Sequence, residues 1–252
     1  MAKYAFITGA SSGIGRATAL ALAAKGYDLV IASRNMSKLQ AVKTDVEAKC
    51  SVSVTPVVLD VTDPAAIHEV TKKVLADFGA PDVLVNDAGL ARGLESYEKS
   101  QEQDILEMID TNIKGLLTMT RLVVPQMIAR NSGHIINIGS VAGDAAYAGG
   151  NVYCATKAAV KALSDGLRID VANTAVRVTN LKPGLVETNF SNIRFHGDTE
   201  RAAKLYQGIK PLTGDDIADV AVYAANAPEH VQIAEVLILA THQASGSVIV
   251  RK

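Results

Sequence analysis

At 252 residues the chain fits one large α/β domain or two small ones, and 25 Lys and Arg against 26 Asp and Glu leave a formal net charge of -1. With no positive excess to neutralise a phosphate backbone or an anionic bilayer, the balance argues against a nucleic-acid or membrane-surface protein. Hydrophobic residues reach 48% but Phe, Trp and Tyr only 4%, so the core is expected to consist of Ala, Val, Ile and Leu, as where helices cover a parallel sheet.

In chain order, Tyr4 to Thr8 (YAFIT) is the first strand, and it runs straight into TGASSGIGRA, with Gly9, Gly13 and Gly15 at the turn that opens the first helix. Glycines at such a turn let the backbone approach a pyrophosphate, and the free N–H groups of the helix N-terminus meet its charge. Dinucleotide binding is therefore expected. Further β-branched runs follow at Asp28 to Ser33, Val52 to Asp60, Asp82 to Asn86, His134 to Ser140, Ala175 to Pro183 and Glu235 to Ala240. The stretches between them, such as PAAIHEVTKKVLADFG and NVYCATKAAVKALSDGLRIDVAN, repeat apolar residues at three and four, the period of an amphipathic helix. This alternation predicts the α/β class: one Rossmann-type domain over 1–252, a doubly wound parallel sheet of about seven strands with helices on both faces. Residues 188–212, polar and carrying glycines and aromatics, break the rhythm after the sixth strand. Ligands sit at the carboxyl ends of such strands, so this segment reads as a mobile lid.

Cys50 and Cys154 stand far apart and outside any C-x-x-C pattern, and the five histidines lack ligand spacing, so neither a disulfide framework nor a metal site is expected. No apolar run approaches the length of a signal peptide or the roughly 20 residues of a membrane span, which predicts a cytoplasmic protein without membrane partners. Thr213-Gly214-Asp215-Asp216 offers two carboxylates, yet Thr three residues before Asp at a helix start is a capping pattern.

Tyr153 and Lys157 are four apart in a helical stretch and share one face, where an ammonium beside a phenol favours the phenolate and lowers a pKa of about 10. Tyr153 is thus the candidate general acid and base. Ser140, ending the fifth strand, can hydrogen-bond the substrate oxygen while a hydride moves. Tyr147 has Asn151 where a Lys would be required, and reads as a pocket residue instead.

Thr8-Gly9-x-x-x-Gly13-x-Gly15, Asn86-Asp87-Ala88-Gly89, Asn112, Ser140, the Tyr153-x-x-x-Lys157 pair and Pro183-Gly184-Leu185-Val186-Glu187-Thr188 come in the order of the short-chain dehydrogenase/reductase family, which the chain resembles over essentially its whole length. Asp87, where that family usually carries a second Asn, is a near-isostere, and no change of role is expected from it. The resemblance implies that Gly9, Ser11, Ser12, Gly13, Ile14 and Gly15 bind the cofactor. It sets Asp60 and Val61 beside the adenine, and Asn86, Ala88 and Gly89 beneath the adenosine ribose. Pro183, Gly184, Val186 and Thr188 are implied at the nicotinamide end, with Val186 and Thr188 on the carboxamide. It also gives Lys157 the nicotinamide ribose, and Asn112 a water relaying protons to Lys157. The second strand ends Ala32-Ser33-Arg34-Asn35 with no acid for the ribose hydroxyls of NAD, whereas the Arg34 guanidinium suits a 2′-phosphate, and Arg16, directly after Gly15, is expected close to the same phosphate. NADP(H) is the expected cofactor, with Asn35 beside Arg34.

NDAGLARGLE, GHIINIGSVAGDAAYAGGNVY and PGLVETNFSNIRFHGD are similar to the 3-hydroxy acid dehydrogenase branch of the family, which implies a small anionic hydroxy acid or aldehyde as substrate. Arg194 is the candidate for gripping its acid group, with Ser140, Tyr147 and Asn151 alongside and Arg92 in reserve. A sulfoacetaldehyde reductase resembles the same branch, and a non-catalytic NADP(H) sensor is the reading from another class, against which the intact Ser140, Tyr153, Lys157 and Asn112 argue. Ala155, Ala158, Ala159 and Ala162 allow close helix approach, and with the family's habit of pairing this helix they predict a homodimer or homotetramer, the tail Thr241 to Lys252 lying near a neighbouring subunit.

Overall fold

A computed structural model describes residues 3–252, in which seven parallel strands form one sheet in the order β3-β2-β1-β4-β5-β6-β7. They are β1 (Tyr4–Thr8), β2 (Asp28–Ser33), β3 (Val54–Val58), β4 (Val83–Asn86), β5 (Gly133–Ile138), β6 (Val176–Pro183) and β7 (Glu235–Ile238). The bounds expected for β1 and β2 hold residue for residue. β3 is shorter than expected because it is an edge strand, paired with β2 only over Val54–Val58.

Parallel neighbours need crossovers. These are carried by α1 (Gly13–Ala23), α2 (Met36–Glu47), α3 (Pro64–Phe78), α4 (Glu102–Ile109), α5 (Leu116–Arg130), α6 (Asn151–Asp170), α7 (Phe190–Arg194), α8 (Thr199–Lys204) and α9 (Gly214–Ala225). Side chains alternate across a strand, so Ala5 and Ile7 of β1 join Leu22 of α1, Leu39 of α2 and Ile217 of α9 on one face. Phe6 joins Ile67 of α3 and Met119 and Val123 of α5 on the other. Burial on this scale contributes about 1.5–3 kcal/mol per large aliphatic side chain. Helix starts are fixed locally: Asp63 accepts from the backbone of Ala65 and Ala66, and Thr213 with Asp216 forms a reciprocal capping box, as read from the sequence.

The chain leaves β1 toward β2 but β4 toward β5, so β1 and β4 flank the point where the winding reverses and a crevice opens at their carboxyl ends. Asn86 at the end of β4 is buried and donates to Thr120 and Asn137, and Asn137 donates to Ser164 of α6. These bonds tie β4 and β5 to the helices that bear the site.

Residues 188–212 are not irregular: α7 and α8 lie within them, and Ser191, Arg194, Phe195 and Ala202 are buried. Gly93 N–H donates to the Arg194 carbonyl at 2.9 Å, and Arg92 donates to the Ile193 carbonyl, anchoring α7 to the loop after β4. The tail packs on its own chain, where Leu185 N–H donates to Gln243 Oε1 and Lys252 N–H to the Gly208 carbonyl. No helix among the described residues is long and apolar enough to cross a membrane.

Candidate active site

A cleft of about 890 Å³ opens over the carboxyl ends of the strands. At one end lies the glycine turn. Gly9 has φ +72°, and a Cβ there would meet the Ala88 nitrogen at 2.8 Å; at Gly15 it would meet the Gly9 carbonyl oxygen at 2.7 Å. Both positions therefore require glycine. Ser12 precedes α1 without a side-chain cap, which leaves N–H groups of the first turn facing the cleft. Gly9, Ser11, Ser12, Gly13 and Ile14 line it, with Gly15 buried behind them. This bare, glycine-walled helix N-terminus fits a dinucleotide pyrophosphate.

Arg34, Asn35, Asp60 and Val61 also line the cleft, as do Ala88, Gly89, Pro183, Gly184, Val186 and Thr188. Asn35 caps α2 by accepting from Lys38 N–H, and Asp60 accepts from Thr62. Two expected cofactor contacts differ. Asn86 lies in the sheet, committed to Thr120 and Asn137, and Arg16 is turned away to Asp45. Lys38, in the first turn of α2, lines the same end; a second basic residue four positions after Arg34 was the available signal.

At the other end, Ser140, Tyr153, Lys157, Tyr147 and Arg194 converge. Ser140 leaves β5 with extended backbone and caps the short turn Val141–Gly143, its Oγ accepting from Ala142 N–H at 3.1 Å. α6 presents Tyr153 and Lys157 on its buried face. Lys157 Nζ donates to the Ile138 carbonyl at 2.8 Å and lies 5.9 Å from the centre of the Tyr153 ring. That direction matters: burial pushes the Tyr153 phenol above its ordinary value, with Tyr147 adding to the shift, while Ser140 and Arg194 act the other way. The lowering expected from Lys157 is not found, because its ammonium points to the strand. Burial brings Lys157 itself down to about 8, against the opposing pull of Asp87.

Asn112 sits in a π-helical turn, Asp110–Gly115, between α4 and α5. Its amide donates to the Leu90 carbonyl and to Thr156, and accepts from Leu90 N–H. A Cβ on Gly89 would lie 3.3 Å from Asn112 Oδ1 and 3.5 Å from Lys157 Nζ, so both side chains close on one small space.

Arg194 donates from Nε to the Gly93 carbonyl and from Nη2 to the Tyr147 hydroxyl at 2.7 Å. Its guanidinium carbon lies 5.2 Å from the Tyr153 ring centre and 6.0 Å from that of Phe190. Among the described residues Nη1 has no hydrogen-bond partner and Nη2 makes a single bond, so three of the five N–H donors remain for an anion. Asn151 is misplaced in the sequence reading: it is exposed at the first turn of α6 and does not line the cleft. Arg92 is withdrawn too, since both sides of its guanidinium are taken by Glu107 and the Ile193 carbonyl. His196 is half-exposed and faces Asp104.

Residues 3–198 match the sequence profile of the family described as short chain dehydrogenase. The chain belongs to that family. The NADP-dependent 3-hydroxy acid dehydrogenase of Schizosaccharomyces pombe is 41% identical over 251 residues, 99% of this chain and 97% of that protein. The protein of the same description from Salmonella typhi is 44% identical over 247 residues, 98% of each chain. Among solved structures, a closed form of serine dehydrogenase complexed with NADP+ has a TM-score of 0.92 at 41% identity, covering 99% of both chains.

In this short-chain dehydrogenase, sequence reasoning missed Phe190 and Gln243, which also line the cleft. It also undervalued Asp87. The carboxylate stands under the glycine turn, and burial raises it to about 7 against the opposing pull of Lys157 and the Gly15 backbone N–H. A neutral Asn has the same shape and none of this titration.

Proposed function

We propose that this short-chain dehydrogenase is an NADP-dependent oxidoreductase that interconverts the hydroxyl and carbonyl of a small anionic substrate, of the 3-hydroxy acid and semialdehyde class. The observation that carries the substrate class is the Arg194 guanidinium, 8% exposed and 5.2 Å from the Tyr153 ring centre, which puts a cation beside the group that handles the proton. Full-length likeness to proteins named NADP-dependent 3-hydroxy acid dehydrogenase supports the same reading. Arg34 and Lys38 at the far end of the cleft, with no acid closing β2, favour a 2′-phosphate.

NADP(H), when bound, supplies or accepts the hydride. The chain's own groups do the rest. The N–H groups at the start of α1 hold the pyrophosphate, Arg34 the 2′-phosphate, and Val186 with Thr188 the carboxamide. Ser140 Oγ holds the substrate oxygen in line. Tyr153, whose burial favours the protonated phenol, donates its proton to that oxygen in reduction and takes it back in oxidation. Lys157 would hold the nicotinamide ribose and, with Asn112, pass the proton onward. Arg194 fixes the acid group through its free Nη1 donors.

A spectrophotometric panel tests this: NADPH oxidation with malonic semialdehyde, sulfoacetaldehyde and succinic semialdehyde, and reverse assays with L-serine and 3-hydroxypropionate. Turnover is expected with a carboxylate aldehyde and NADPH, and not with NADH at equal concentration. Equal use of NADH, or indifference to the acid group, overturns the reading.

For assembly we infer a homodimer or homotetramer through α6, where Ala155, Ala158 and Ala162 are exposed and Ile169 is 75% exposed on the same helix. Light scattering at micromolar concentration is expected to give a multiple of the 26.5 kDa chain mass; a monomer refutes it.

A further inference from the structure

Asp87 is a carboxylate built into the floor of the phosphate turn. It follows β4 directly, lines the cleft, and comes within 2.8 Å of where a Cβ on Gly9 would stand and 2.5 Å of one on Gly15. The backbone N–H of Gly15 favours its charged form. That N–H belongs to the first turn of α1, whose preceding Ser12 makes no side-chain cap, so Asp87 supplies from another strand the negative charge the helix end attracts. A pyrophosphate held at the same helix end then faces a second anion across one layer of glycine backbone.

The groups around Asp87 settle which charge responds. From α6 comes Lys157, the cation acting on it. From β1 comes Thr8, neutral, whose Oγ1 accepts from Ala88 N–H. The π turn brings Asn112, also neutral, toward Gly89. Arg16, the only charged side chain on α1, is committed to Asp45. Lys157 is itself shared with the Ile138 carbonyl, and among the described residues it is the cation that acts on Asp87 when a diphosphate is brought against it.

We propose that Asp87 makes NADP(H) binding proton-linked: the carboxylate takes up a proton as the cofactor's phosphates arrive, and affinity falls as pH rises. The inference rests on the cofactor reading above and adds a titrating residue to it. The sign follows from linkage. Negative charge from the phosphates raises Asp87 further in the complex, so the extra affinity is complete below its free value of about 7 and is lost as pH climbs through the bound value.

NADPH titrations followed by fluorescence, with the intact protein and Asp87→Asn from about pH 5.5 to about pH 8.5, read this directly, and calorimetry in two buffers of different ionisation enthalpy counts the protons. At the acid end the two proteins are expected to bind alike. At the alkaline end Asp87→Asn is expected to bind about tenfold tighter, and the proton uptake of the parent protein near neutral pH to disappear. Asp87→Ser, equally neutral, should follow Asp87→Asn. Lys157 and the 2′-phosphate titrate in all three proteins, so only the difference between them belongs to Asp87. An affinity ratio independent of pH, or variants weaker at every pH, overturns the proposal and leaves Asp87 a packing residue. No NADPH binding by the parent protein at acid pH overturns the cofactor reading itself, and this inference with it.

Discussion

Tyr153→Phe is expected to lower turnover by two or more orders of magnitude, the range for loss of a general acid–base group, while NADPH affinity stays within about twofold. The ring that packs 5.7 Å from Phe190 and 5.2 Å from the Arg194 guanidinium survives the change; only the proton-bearing oxygen goes. Steady-state kinetics with a semialdehyde, beside a fluorescence titration of NADPH, separates chemistry from binding. Tyr147→Phe is the control. It removes an oxygen that accepts from Arg194 but leaves Tyr153 next to Ser140, so it should act mainly on the Michaelis constant. A near-normal Tyr153→Phe beside an inactive Tyr147→Phe would exchange the roles of the two tyrosines.

Arg194→Ala is expected to reduce the ratio of specificity constants for anionic over neutral aldehyde of similar size by roughly a hundredfold, the equivalent of losing two charge-assisted hydrogen bonds. The ratio is the useful quantity because Arg194 also braces the site through the Gly93 carbonyl and three aromatic rings, and damage to that bracing lowers both substrates together. Arg194→Lys should restore part of the preference, a point charge being unable to reproduce the planar fork. An unchanged ratio in both variants removes Arg194 from substrate recognition, and neither Arg92 nor Asn151 stands ready to replace it.

What was legible in the sequence was whatever depends on short spacing. The strand-to-helix glycine turn, the four-residue interval between Tyr153 and Lys157 and the Thr213–Asp216 cap are local patterns, and each stands where its period puts it. Asn151 was misread although helix phase argued against it. Two residues from Tyr153 means about 200° around the helix, which turns Asn151 away from the face that carries Tyr153 and Lys157. Other errors arose where tertiary neighbours decide. Nothing near Arg92 in sequence announces Glu107 or the Ile193 carbonyl, and nothing near Arg16 announces Asp45. Asp87 looked interchangeable with Asn because shape is readable from a residue name, whereas the cost of charge depends on the glycine turn folded over it.

The π turn at Asp110–Gly115 relieves a conflict that a regular helix would face. α4 and α5 must each keep a phase that buries Met108 on one side and Met119, Val123 and Met127 on another, and an uninterrupted α-helix would tie those phases to the placement of every residue between them. One wide turn breaks that dependence. It lets Asn112 swing toward Leu90 and Thr156 without moving the flanking apolar faces, and Gly115 closes the turn where a side chain would strike the Val61 backbone carbonyl. Packing and chemistry are thereby assigned to different residues of a single helical run, so that the hydrophobic stripe of α5 can drift in sequence while the geometry around Lys157 is held.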